Sequence, residues 1–497
     1  MKKKVVLNIL TGFGGQLFVM LLGIIVPRIL ITGYGSDTNG LLGTITQIYT
    51  YMALLEAGIG QAARNALFKP FSQNNREEVS HIASIAQAYF KRITAYYGLG
   101  VIALSLLLPL IVKSNCSYST IALITLLQGM SGVVSFFFIQ TKSIILMVDG
   151  KGYVRNSINV ISQSIHYAVQ IILAGNGVSV LFIQASYFMI TVLKVVIYKI
   201  YFDKKYQWIN FSKSSPGEKL KDRNAFILTE IAWTMFSSTD MIVLSVFLST
   251  EMASVYSVYN LVYTGINVLL NSIYSNVLFV LGRTYHKNKT QYCILHDSFT
   301  AAFFGGMCVL MSVTYVLVLP FIKLYTSGAD INYSYTYLPV MFCLVQILSW
   351  SRYVSGNLTG IAGYAKPVSH ISLIEACINI ILSIVFARQY GIVGVLFATV
   401  IALPIKVIYC TFISDVKILK RSMWNSLKIL IPNSLLFIVT VFAARKLPIK
   451  IMNYLDFAIY GVVLLIVLSL IDVLINFCIN PKLIHTTISF IKRRSMK

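Results

Sequence analysis

Three stripes of polar side chains recur at helical spacing in otherwise apolar sequence. Asn260, Thr264, Asn267 and Asn271 follow at intervals of four, three and four residues, which puts them on one helix face. Gln163, His166 and Gln170 keep the same rhythm, as do Ser372, Glu375, Asn379 and Ser383. Such side chains can line a wet cavity and hydrogen-bond a hydroxyl-rich ligand. They can equally bond helix to helix inside a dry bundle. The spacing alone leaves both readings open.

Ionisable residues inside apolar runs are more telling, because each costs at least about 2.5–3.5 kcal/mol at a helix centre unless paired or hydrated. Arg28 and Arg352 are of this kind, Arg64 stands near the inner mouth of the second helix, and a guanidinium matches the oxygens of a phosphate in a bidentate fork. Glu56, Glu230, Asp240 and Glu375 are candidates for binding a proton or cation, or for neutralising a neighbouring base. A rise of about 1.5 Å per residue places Arg352 and Glu375 at similar depth on consecutive helices, where they could neutralise each other. Lys194 can snorkel to the headgroups. His166 falls near the middle of its run.

The elements that carry these residues follow from composition. The chain is 57% hydrophobic and only 12% charged, with a mean hydropathy of +0.75. A soluble domain is about one quarter charged. Apolar runs long enough to cross a core of about 30 Å begin near residues 5, 41, 93, 121, 158, 178, 226, 255, 299, 337, 368, 391, 430 and 457. The fold class expected is therefore all-α: a polytopic membrane protein of about fourteen transmembrane helices. The run from Val5 to Ile31 reads as a retained first helix, too long for a signal peptide and lacking a small-residue cleavage site.

The net charge of +24 does not mark a nucleic-acid partner, because its location follows the membrane. With the N-terminus inside, about 34 of the 41 basic residues fall in cytoplasmic segments and about 7 outside. Both termini are expected in the cytoplasm. Residues 1–200 form a first lobe of six helices, 201–224 a basic cytoplasmic linker, 225–428 a second six-helix lobe, and 429–497 two peripheral helices with a basic tail. A faint repeat links the lobes: Tyr34-Gly35-Ser36-Asp37 before Gly40, and Ser249-Thr250-Glu251 before Ser254. Paired repeats are how many transporters surround a central site.

The seven cysteines are scattered, so neither a disulfide framework nor a metal site is expected. No phosphate-binding Gly-rich loop ending in Lys-Ser/Thr is present, nor a His-Glu-x-x-His pair. No cofactor is expected. A membrane polymerase or glycosyltransferase would need positioned acid–base groups in a substantial pocket, and the short outer connections leave little room for one.

Three segments resemble one family over roughly the whole chain. They are Val26-Pro-Arg-Ile-Leu-Ile-Thr-Gly-Tyr-Gly with Leu54-Leu-Glu-Ala-Gly-Ile-Gly; Ser238-Thr-Asp-Met-Ile-Val-Leu-Ser-Val-Phe-Leu with Val255-Tyr-Ser-Val-Tyr-Asn; and Gly360-Ile-Ala-Gly-Tyr-Ala-Lys-Pro, Ile374-Glu-Ala-Cys-Ile-Asn-Ile-Ile-Leu-Ser and Tyr390-Gly-Ile-Val-Gly-Val. The third is the most specific. Together they resemble the Wzx-type O-antigen and capsule flippases, which move undecaprenyl-diphosphate-linked repeat units. These belong to the multidrug/oligosaccharidyl-lipid/polysaccharide exporter superfamily.

The resemblance implies a transporter, not an enzyme, in the bacterial cytoplasmic membrane. It implies two six-helix lobes around a V-shaped cleft that works by alternating access. Cationic residues would line that cleft for the diphosphate: Arg28 by motif, Arg64 and Arg352 by position. Gln163, His166, Gln170, Asn260, Asn267, Asn271 and Asn379 would serve the sugars. The partners implied are the lipid-linked oligosaccharide, membrane lipids and other polysaccharide-assembly proteins. At Ala365-Lys366-Pro367 the chain departs from the family's more basic or polar pattern, which leaves Lys366 open as a contact. The alternative is a cation-coupled multidrug exporter of the same superfamily. Against it, the first helix holds Arg28 and no acid.

Overall fold

The computed structural model describes residues 14–479 apart from 57–58, 212–222, 447–450 and 452. The start of the first apolar run at Val5, residues 212–222 of the basic linker and the C-terminal tail lie outside the described residues. The side chain of Glu230 does too.

Among the described residues the secondary structure is helical throughout, and nine helices are long and apolar enough to cross a membrane. Without water to bond the backbone, helices that satisfy their own amides are the form such runs must take. The chain is an all-α polytopic membrane protein. Its contacts divide it into two compact units. Unit 1 comprises residues 1–255 with 328–331, and unit 2 comprises 256–327 with 332–497.

Unit 1 begins with α1 (Gly15–Met52), followed by α2 (Ile59–Ser72), α3 (Arg76–Ile111), α4 (Tyr118–Phe138), α5 (Gln140–Val148), α6 (Gly152–Gly175), α7 (Val180–Lys205) and α8 (Arg223–Phe247). Starts are fixed by local chemistry. Asn75 accepts from the Glu78 N–H at 3.1 Å and donates to its carboxylate at 3.0 Å, while Glu77 and Glu78 complement the dipole of α3. Ser117 and Ser179 cap α4 and α7. Helix α1 packs on α4, α6 and α8, α3 on α4, and α7 on α4 and α6.

The polar turn expected at Tyr34–Asp37 is a single residue. Only Gly35 leaves helical geometry, with φ +84° and ψ 163°, so residues 15–34 and 36–52 are two helices joined at one glycine. A side chain at this positive φ would be strained. The second helix then lies close against the end of α8 and the start of α9 (Thr250–Lys287). Asn39 Nδ2 donates to Ser254 Oγ at 2.8 Å, Thr44 and Ser245 hydroxyls bond each other, and a Cβ on Gly40 would lie 1.7 Å from the Thr250 carbonyl oxygen.

Unit 2 continues α9 and holds α10 (Lys289–Tyr325), α11 (Leu338–Ser351), α12 (Tyr353–Ile361), α13 (Ala365–Phe412), α14 (Trp424–Ala444) and α15 (Tyr454–Ile479). Helix α10 packs on α11, α14 and α15, while α11 and α12 pack on α13. Tyr259 and Tyr263, four residues apart on α9, stack on Phe342 at 5.8 and 5.1 Å. Their hydroxyls donate to the carbonyls of Tyr333 at 2.9 Å and Pro339 at 3.3 Å. The runs expected at Val368 and Gly391 are the two parts of α13, broken at Gly391 with φ +60°. The run expected at Tyr337 is α11 and α12, interrupted at Arg352.

Candidate functional site

The candidate residues fall into groups within each unit. In unit 2, Arg352 sits at the interruption between α11 and α12, and its carbonyl accepts from the Gly356 N–H at 2.7 Å. Its Nη1 donates to Glu375 Oε1 on α13, and both residues are buried. The two residues that depth counting placed at one level are thus an ion pair. Lys406, on the second part of α13, brings Nζ to 4.0 Å from Glu375 Oε2. Two cations therefore flank one buried carboxylate within the apolar part of unit 2.

The polar stripes divide between the two readings. Asn379 is fully buried and its Nδ2 donates to Thr399 Oγ1 at 2.8 Å, bonding the two parts of α13 to each other. Its Oδ1 and the Ser383 hydroxyl are buried with no hydrogen-bond partner. On α9 the tyrosine face is the packed one. Thr264 and Asn271 are exposed and Asn260 is half-buried, while Asn267 Oδ1 accepts from Trp350 Nε1 at 2.8 Å. Part of that stripe therefore bonds helices together and part is open.

In unit 1, Arg28 lies half-buried on the first part of α1, two turns before the Gly35 break. Arg64 is half-buried on α2, its Nε enclosed without a hydrogen-bond partner. Glu56 accepts two bonds from the Gln140 amide at 2.6 and 2.7 Å. Asp240 is buried on α8 beside Thr239, whose hydroxyl meets that of Tyr51. Gln170 is buried, Gln163 and His166 half-buried, and the His166 ring lies 4.7 Å from that of Tyr187.

Several charged residues were not foreseen. Lys406 had no stripe or depth argument to flag it. Asp472 on α15 accepts from Asn476 Nδ2 at 3.1 Å, and that amide also donates to Asn433 Oδ1 on α14 at 3.1 Å. Gly305 makes room for this group: a Cβ there would lie 2.6 Å from Asp472 Oδ1. Arg421 grips Asp297 with two bonds of 2.6 and 2.8 Å and Asp415 with a third of 2.8 Å. Asp415 lies in the short turn Ile413–Ile418 that ends α13.

At the Gly35 break two carboxylates meet the start of the second helix. Asp37 Oδ2 accepts from the Ser114 hydroxyl at 2.7 Å and the Asn115 N–H at 3.1 Å. Asp330, from the connection between α10 and α11, accepts the Ser36 N–H at 3.0 and 3.1 Å and the Ser36 hydroxyl. Burial works against its charged form, but the Ser36 donors together with the backbone N–H groups of Asp330 and Ile331 outweigh burial and hold Asp330 below the usual carboxylate range.

Among the described residues no group of three or more His, Cys, Asp and Glu side chains could hold a metal ion. Neither a family profile nor a curated protein matches the sequence. Solved structures do match. The fold is similar to a lipid II flippase, MurJ, in an inward closed conformation, at a TM-score of 0.70 and 17% identity, covering 94% of this chain and 99% of that one. It is also similar to an inward-facing multidrug resistance MATE transporter of the MOP superfamily, at 0.65 and 12% identity, covering 87% and 96%. A MOP superfamily transporter from Pyrococcus furiosus matches at 0.55 and 13%, covering 85% and 97%. The chain thus has the fold of MOP superfamily membrane transporters.

Proposed function

We propose that the chain flips a lipid-diphosphate-linked oligosaccharide from the inner to the outer leaflet of a bacterial cytoplasmic membrane, for surface polysaccharide assembly. The observation that carries this reading is the charge on its first apolar helix. The helix 15–34 bears Arg28 and no acid, Arg64 adds a second cation in unit 1, and in unit 2 two cations, Arg352 and Lys406, share the single carboxylate of Glu375. Cations on membrane helices fit an anionic cargo, whereas an exporter of organic cations needs acids in their place. The fold it shares with a lipid II flippase, over 94% of the chain, supports the same reading.

On this proposal Arg28, Arg64 and Arg352 attract the diphosphate, and the open amides of Asn260, Asn271 and Gln163, with His166, meet sugar hydroxyls. Asn267 and Asn379 serve the sugars less directly, by holding their helices, and the buried Gln170 meets them only when its helix opens. The lobes alternate access. An inside-negative potential favours outward movement of an anion by about 2.3 kcal/mol per charge per 100 mV, so two diphosphate charges gain about 4–5 kcal/mol. Glu56, Glu230 and Asp240 remain the acids available for coupling to a proton or cation.

Complementation tests the reading. Expressed in bacteria lacking their own repeat-unit flippase, the chain should restore surface polysaccharide. Arg28→Ala and Arg352→Ala at matched expression should lower it at least about tenfold, the scale of losing a charge-assisted bond. Restoration that survives both substitutions would discard the phosphate site. Drug sensitivity that rises on deletion, with polysaccharide unchanged, would favour the multidrug exporter instead.

Orientation has its own check. With both termini inside, Cys116 lies at the outer end and Cys293 at the inner end. A membrane-impermeant maleimide added to whole cells should label Cys116 and spare Cys293; the reverse pattern would invert the topology. Burial, aided by the Asp37 carboxylate, pushes the Cys116 thiol up. Its reactive thiolate is therefore scarcer at neutral pH than that of a free cysteine, and labelling should speed up as pH rises.

A further inference from the structure

We propose that Arg352 and Lys406 form a phosphate-binding site in unit 2 whose place is held, in the empty protein, by the carboxylate of Glu375. This rests on the reading above that the cargo is a lipid diphosphate, and it gives that cargo a second cation and a built-in competitor.

The two oxygens of Glu375 face different cations. Oε1 takes the Arg352 Nη1 hydrogen bond, and Oε2 stands 4.0 Å from Lys406 Nζ. That second distance is too long for a hydrogen bond. The planar carboxylate reaches one cation fully and the other only through space. A phosphate group presents three strong acceptor oxygens and bridges such a gap, with the Arg fork on one side and the ammonium on the other.

Charge points the same way. One carboxylate is shared between a guanidinium and an ammonium, so Lys406 has its counter-charge divided in a low-dielectric setting where incomplete compensation is costly. An incoming anion removes that cost. Access is on the lysine side: the Lys406 side chain is 21% exposed, against 7% for Arg352 and 2% for Glu375. A ligand meets Lys406 first and reaches Arg352 by displacing the Glu375 carboxylate, with no bond made or broken covalently.

The test uses the purified full chain in detergent with two probes, inorganic pyrophosphate and farnesyl diphosphate, read by calorimetric titration and by thermal melting. Glu375→Gln removes the competitor. It should bind pyrophosphate about tenfold more tightly than the wild type and melt lower without ligand, and pyrophosphate should recover the melting temperature. Lys406→Gln leaves the Arg352–Glu375 pair intact and removes the undercompensated ammonium, so it should melt no lower than the wild type yet bind about tenfold or more weakly.

Unchanged or weaker binding by Glu375→Gln overturns the placeholder role. Wild-type affinity in Lys406→Gln overturns the site, and this variant keeps the test valid should Glu375→Gln fail to fold. A clear preference for farnesyl diphosphate would show that a lipid-linked phosphate is the natural source. Equal affinity for the probes would show that the phosphate group alone is read. The flippase reading stands or falls separately, on complementation by the unmodified chain: failure there with the expected binding pattern sinks the cargo and leaves the anion site.

Discussion

Gly40→Ala is expected to disrupt unit 1 more than any other Gly→Ala change among the described residues. The added Cβ would lie 1.7 Å from the carbonyl oxygen of Thr250, 2.6 Å from its carbon and 2.9 Å from the Ser254 nitrogen. All three are backbone atoms at the start of a helix, so no rotamer change relieves the clash. The helices must separate, and with them the Asn39–Ser254 and Thr44–Ser245 bonds that flank the contact. Overpacking of a closed core costs about 1–3 kcal/mol even where side chains can yield. Here the loss should exceed that range and appear as a fall in melting temperature and in folded yield. Gly306→Ala supplies the control. Beyond the local backbone of its own helix no atom lies within 4 Å of the methyl that this change adds, and in a helix interior alanine gains about 1 kcal/mol over glycine. A Gly40→Ala protein that melts like the wild type would show that the helices are not packed this closely.

Loss of Glu375 should be the largest effect in unit 2. Glu375→Leu strands the buried Arg352 guanidinium and leaves the partly exposed Lys406 without its neighbouring carboxylate, and breaking a buried pair costs about 3–5 kcal/mol. Replacing both members, Arg352→Met with Glu375→Leu, removes the stranded guanidinium and should recover part of that loss. Recovery should stop short of complete, because Lys406 still lacks a counter-charge. Melting temperatures of the two single variants and the double variant in one detergent form the cycle. Full recovery in the double variant would remove Lys406 from the cluster. No recovery would mean that Arg352 contributes mainly through contacts other than Glu375.

Much of this arrangement was legible in the sequence. Apolar runs separated by Lys- and Arg-rich connections fixed the helices, because a membrane admits few alternatives to them. Depth counting paired Arg352 with Glu375 because both lie on helices of known direction. It could not find Lys406, which approaches the same carboxylate from the far part of α13, after a break at Gly391 whose angle no periodicity encodes. The Asp330–Ser36 contact spans 294 residues, and nothing near either residue announces the other. Stripes show which residues share a face but not what the face meets. Asn379 and Thr399 are fully or nearly fully enclosed, although the amide pattern equally allowed a wet cavity. The break at Gly35 was visible as a turn, but its length was overestimated: four polar residues suggested a loop, and one positive-φ glycine suffices.

A joint of one residue has mechanical consequences. Two helices that meet at Gly35, and two more that meet at Gly391, are linked through a single φ and ψ each, flanked by stiff planar peptides. A longer loop would let its helices drift in any direction. These joints leave two angular freedoms apiece, so any bending of the paired helices runs along fixed arcs. The same economy leaves no slack for inserted residues, and a tag placed at either glycine would meet helix on both sides.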